Sequence, residues 1–249
     1  MCIIAVKKSG KEMFPEETIR MMFQNNPDGA GMMWYETAER KVGYHKGFMK
    51  VEQLIEFIGS RNWKNIPVVL HFRIGTSGHR TKLCTHPYPV YDRNHVSGLT
   101  DLAVCHNGVL SNYHPGYNSA INDSLNFTQK VLSKLDPSFI HDSDKLMLIE
   151  ELIGTSKLAF IDNTGEITLL GNFIEDNDYY YSNTSYKPKV KPKNTRNPNK
   201  GYYSSNLFGY RYADEDDEVL DEESLKRLDD YFSQLNNDQF TGEAGDYAY

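Results

Sequence analysis

Cys2 follows the initiator methionine directly, and Arg73, Thr76, Asn107, Gly108 and Asp123 lie where apolar runs give way to polar ones. A cysteine that becomes the chain terminus carries its own base, because a free α-amine titrates at about 8 and can accept the thiol proton near neutral pH. Opening an amide also needs donors for the tetrahedral oxyanion. In CHNG the Asn107 Nδ2 and the Gly108 N–H could supply them, each such donor lowering a barrier by roughly 3 kcal/mol. In HFRIGTSG, Arg73 offers a planar fork for a carboxylate, and in NDS, Asp123 offers an acceptor for an ammonium. Each residue also has a plainer role: Cys2 as a small hydrophobe in a strand, Arg73 as a surface ion-pair donor, Asn107-Gly108 as a turn, Asp123 as a helix cap.

The surrounding patterns show what must hold these groups. CIIAV (2–6) reads as a buried strand, and PEETIRMMFQNN (15–26) as a helix with proline at its start and two acids in its first turn. GAGMMWYE and KVGYHKG read as strands, VEQLIEFIGS as a helix closed by Gly59, and NIPVVLHFRIG and LAVCHNG as strands. NDSLNFTQKVLSKL (122–135) and SDKLMLIEELIG (143–154) read as helices, and KLAFIDNTGEITLLG (157–171) as a hairpin turning at Asn163-Thr164-Gly165. Strands interleaved with helices and hairpins predict an α+β or layered α/β fold with mixed sheets. A dinucleotide-binding architecture is excluded, since no GxGxxG follows a strand, and so is a P-loop.

In order, the initial Met-Cys, NNPDGAGM, HFRIGTSG, THPYP, CHNGVLSNY and the later NDS resemble the glutaminase domain of class II glutamine amidotransferases, in its compact stand-alone branch. The resemblance covers roughly residues 1–184. It implies a four-layered αββα sandwich of the N-terminal nucleophile hydrolase type. It also implies that Met1 is removed and that Cys2 attacks the side-chain amide of L-glutamine to form a γ-glutamyl thioester. On that resemblance Arg73 binds the glutamine carboxylate with support from Thr76. Asn107 and Gly108 form the oxyanion hole, Asp123 takes the α-amine, and Gly29, Ala30 and Gly31 form a glycine-containing turn near the nucleophile. Two departures bear on glutamine selectivity: Asn25, Asn26 and Asp28 stand where relatives often carry an arginine, and Ile74 stands where others have tryptophan. A different N-terminal nucleophile amidase or peptidase, or a non-catalytic binding protein of the same fold, would share much of this pattern.

The 249 residues divide by composition. Residues 213–249 hold 13 acidic and 2 basic residues, a net of −11, against +4 for the rest. Between them KPKVKPKNTRNPNK carries six basic residues and three prolines, which favour an extended chain. The expected organisation is a glutaminase domain over 1–184, a basic linker over 185–212 and an acidic tail over 213–249. In that tail Leu225, Leu228, Phe232 and Leu235 recur at helical spacing. The residues after Ser185 are too few and too polar for a synthase domain, so the resemblance implies a separate ammonia acceptor. The acidic tail can neutralise the basic linker, which argues against a nucleic-acid partner. Three cysteines do not make a disulfide framework, and Cys84, His86, Cys105 and His106 lack the spacing of a zinc site, so no metal or cofactor is expected. With no long apolar run and no signal peptide, a cytoplasmic enzyme without membrane attachment is expected, an oligomer being compatible with the sequence.

Overall fold

A computed structural model describes residues 2–75, 79–116 and 119–188. Seven strands form one sheet, in the spatial order β10 (Ile174–Asp176), β11 (Tyr179–Tyr181), β1 (Ile3–Lys7), β4 (Val68–Phe72), β2 (Ala30–Glu36), β3 (Lys41–Phe48) and β6 (Ser97–Thr100). Four strands form a second, ordered β5 (Tyr88–Pro89), β7 (Leu102–Asn107), β8 (Lys157–Asp162) and β9 (Ile167–Leu170).

β1 is apolar on consecutive residues because both its faces are covered. Ile3 and Ala5 pack with Ile19, Met22 and Phe23 of α1 (Glu16–Asn25) and Leu54 of α2 (Val51–Gly59). Ile4 and Val6 face the other way, against Ala103 and Cys105 of β7 and Ala159 and Ile161 of β8. The first sheet therefore lies between a helical layer and the second sheet. On the outer side of β8, Phe160 meets Phe139 of the helical segment Pro137–His141 edge-on at 6.1 Å, and α4 (Ser143–Ile153) packs beside that segment.

Every ladder among the described residues is antiparallel, which corrects the expectation of mixed sheets. The helix α1 does link two strands of like direction, β1 and β2. However, β4 lies between them and runs against both, so the parallel pair never becomes a ladder.

Local chemistry explains the other differences. The helix expected over 122–135 is α3 (Asp123–Lys130) followed by a 3-10 turn, Leu132–Lys134. The Thr128 hydroxyl donates to Ser124 O at 2.9 Å and the Ser133 hydroxyl to Gln129 O at 2.7 Å, competing with the regular backbone ladder. Gly59 does not close α2 through a left-handed residue; Ser60 caps it in right-handed geometry. Ala30 and Gly31 belong to β2 rather than to a turn, and only Gly29 turns, at φ +108°. Gly31 is required by approach, because a Cβ there would lie 2.0 Å from the His86 carbonyl. The Tyr-rich stretch DNDYYYSNTSY (176–186) begins in an edge hairpin, β10–β11, that turns through Asn177 and Asp178 at φ 54° and 66° and pairs with β1. Beyond it Tyr186 stacks on Tyr181 at 3.7 Å. The basic linker from Lys189 on and the whole acidic tail, with its helical spacing at Leu225, Leu228, Phe232 and Leu235, lie outside the described residues.

Candidate active site

Cys2 enters β1 from its open end. The Ile74 N–H donates to Cys2 Sγ at 3.4 Å, and the thiol reaches the Ile74 carbonyl at 3.5 Å. Asn183 Nδ2 donates to the Cys2 carbonyl at 2.6 Å, so the residue is held from two strands' ends. Burial pushes the thiol above its ordinary value, outweighing the Ile74 amide and the Arg73 charge, which act the other way. Such a thiol supplies little thiolate by itself and depends on a nearby base.

Arg73 continues β4 and is 2% exposed, not a surface ion-pair donor. Its N–H donates to Gly29 O at 2.8 Å, and its carbonyl accepts from Asp28 N at 2.9 Å. Asp28, one of the departures, holds the chain after Arg73 at two points: its carboxylate accepts from Gly75 N and from Arg80, each at 2.6 Å. Thr76 lies outside the described residues.

Asn107 and Gly108 end β7. Gly108 sits at φ +151°, and a Cβ there would meet Ser156 Oγ at 2.1 Å, so this backbone approaches closer than any side chain allows. Asn107 is buried, with Nδ2 donating to Ser182 Oγ at 2.7 Å. Asp123 opens α3 but does not cap it. Asn122 does, its Oδ1 accepting from Leu125 N at 2.8 Å, while its amide holds Cys84 O and the Tyr88 hydroxyl. The Asp123 carboxylate instead accepts from Leu110 N at 2.8 Å and from Ser124 N at 3.0 Å, with the Ser124 hydroxyl 3.5 Å away.

These segments meet in one pocket, lined by Cys2, Arg73, Ile74, His86, His106, Gly108, Asn122, Asp123 and Ser124. Asn107 is adjacent to it in sequence but does not line it. His86 and His106, weighed in the sequence only as zinc ligands, form a buried histidine group with His71, a grouping that the sequence did not show. His71 donates from Nε2 to His106 O at 3.0 Å, its ring lies 4.1 Å from that of His86 at a tilt of 35°, and His106 Nδ1 lies 2.7 Å from Ser124 Oγ. A histidine inside an apolar strand run, as in VVLHF and AVCHN, was the available signal. Elsewhere, His141 sets Nε2 3.2 Å from Asp162 and Nδ1 3.9 Å from Glu166, and the three residues offer one potential ligand atom each within 4.8 Å of one another.

Burial holds the three imidazoles neutral, pushing His71 down to about 3, His106 down to about 4, and His86 well below its ordinary 6.5. The unfolded chain takes up these protons as pH falls through 6.5 while the folded chain does not. The stabilisation is therefore complete above pH 6.5 and is lost progressively below it. Three imidazoles together should cost about 3 kcal/mol between pH 6.5 and 5.5, a window in which ordinary carboxylates stay ionised. Thermal unfolding is expected to show the midpoint falling by about 6–12 °C across that unit; a flat midpoint would contradict neutral, buried histidines.

No helix among the described residues is long and apolar enough to cross a membrane. No protein-family model matches the chain, and no curated protein matches it. Among solved structures the chain is similar to glutamine phosphoribosylpyrophosphate (PRPP) amidotransferase from B. subtilis complexed with ADP and GMP. The two are 16% identical with a TM-score of 0.44, over 73% of this chain and 41% of that one.

Proposed function

We propose that this chain is the glutaminase component of a glutamine amidotransferase, and that its layers are the αββα sandwich of the N-terminal nucleophile hydrolases. The observation that carries the reading is a single pocket in which Cys2 shares walls with Arg73, Gly108 and Asp123, residues far apart in the chain. Once Met1 is removed, the Cys2 α-amine takes the thiol proton and the sulfur attacks the glutamine amide carbon. The oxyanion is held by the Gly108 N–H and Asn107 Nδ2. Collapse expels ammonia, which takes the proton from the ammonium of Cys2 and leaves a γ-glutamyl thioester. Water, deprotonated by the same amine, then releases glutamate and regenerates the thiol. Arg73 receives the substrate carboxylate, the resemblance giving Thr76 a supporting role, and Asp123 receives the α-ammonium. The ammonia passes to a separate acceptor enzyme.

The experiment is to incubate protein whose Met1 is confirmed absent by intact mass with L-glutamine and to measure glutamate. Release of glutamate is expected. No release from the processed protein, with or without added ammonia acceptors, would overturn the reading. Retention of Met1 on the natural protein would favour a binding role.

A further inference from the structure

Ser182 lies immediately after β11, fully buried, and touches both halves of the site. Its N–H donates to Ile4 O at 2.9 Å, and its Oγ accepts from Ile4 N at 2.8 Å, two residues from the nucleophile. The same Oγ lies 2.7 Å from the Asn107 carboxamide on the other sheet, and Lys157 Nζ holds the Ser182 carbonyl at 2.5 Å.

Two needs are unmet in this cluster. With Nδ2 donating to a hydroxyl that already accepts from Ile4, the serine proton has no acceptor in the cluster. Asn107 Oδ1 is buried with no hydrogen bond among the described residues. Turning the carboxamide by half a rotation meets both, since the two ends of the group are nearly the same size. Oδ1 then accepts the Ser182 O–H, the serine oxygen keeps the Ile4 N–H, and Nδ2 is released from the serine as a donor.

We propose that Ser182 is a positioning residue that fixes the Asn107 carboxamide with its nitrogen free to stabilise an oxyanion. The proposal rests on the glutaminase reading above. Ser182 touches no substrate; it acts through Asn107, and through Ile4 it ties that orientation to the strand bearing Cys2. A hairpin at the far edge of the sheet thereby takes part in the chemistry at the chain's start.

The test compares Ser182→Ala, Asn107→Ala and the double variant by glutamine turnover, together with alkylation of Cys2 by iodoacetamide. Alkylation displaces iodide at a saturated carbon and forms no tetrahedral oxyanion. Ser182→Ala is expected to lower kcat about 10–100-fold with KM within about twofold, and to leave the alkylation rate unchanged. In the Asn107→Ala background it should cause no further loss. Ser182→Cys keeps bulk at this buried position with a much weaker donor, and is expected to lose kcat in the same non-additive way. Multiplicative losses in the double variant, alkylation slowed in step with kcat, or wild-type kcat in a folded Ser182→Cys would each overturn the role of Ser182 alone. A processed wild-type protein that turns over no glutamine would overturn the glutaminase reading and this proposal together.

Discussion

Replacing Cys2 with alanine is expected to abolish glutamate release, lowering kcat by at least about 10³-fold while the fold persists. The expectation follows from where the thiol sits. Its Sγ contacts the Ile74 backbone and the carbonyl of Cys2 is fixed by Asn183, so the strand needs no sulfur to stay in place. Cys2 is also only half-buried, and truncation there removes little packing. What disappears is the only cysteine in the pocket, since Cys84 donates to Ala120 O and Cys105 faces the core between the sheets. Glutamate release assayed beside circular dichroism checks the prediction. A Cys2→Ala protein that is folded and retains more than about a tenth of wild-type turnover would contradict the mechanism.

Arg73→Lys is expected to raise KM for glutamine about 100-fold or more while changing kcat much less. A guanidinium presents two parallel donors to a carboxylate, and an ammonium on a flexible stem presents a point charge, a difference of about 2–3 kcal/mol at a buried site. Arg73 is almost fully enclosed, lines the pocket beside Cys2 and has its backbone clamped by Gly29 and Asp28, so little ordering is left for substrate to impose. Lysine keeps the charge and most of the stem, which separates recognition from folding. Steady-state kinetics distinguishes the outcomes. Unchanged KM and kcat with the preferred substrate would favour an amidase that does not grip an amino-acid end.

Much of the frame was legible because its signals are local. The apolar run after Cys2 marks a strand covered on both faces. Pro15 with Glu16 and Glu17 marks the start of α1, and Asn163-Thr164-Gly165 lies in the β8–β9 turn, where Asp162 gathers the Thr164 and Glu166 amides. The candidate residues were visible as polar groups at strand ends, and only the ordered resemblance brought them together, because local pattern does not say which strands become neighbours. Ladder direction failed for the same reason: a helix between two strands fixes their relative direction but not the strand that slips between them. Asn122, not Asp123, caps α3, a choice between adjacent good cap residues that propensity cannot make. The edge hairpin and Ser182 were hidden in DNDYYYSNTSY, which lies at the end of the expected domain and whose polarity shows no strand alternation. The left-handed pair Asn177-Asp178 turns the chain back.

The most direct measurement of the central claim is the intact mass and peptide map of processed protein after treatment with a diazo-ketone analogue of glutamine. That reagent reports nucleophile and recognition at once, because it must be bound like glutamine before it can alkylate. The account predicts one adduct per chain, on Cys2, formed with saturation kinetics, prevented by excess L-glutamine and greatly slowed in Arg73→Lys. No adduct on Cys2 of a chain lacking Met1, or an adduct indifferent to glutamine, would contradict it.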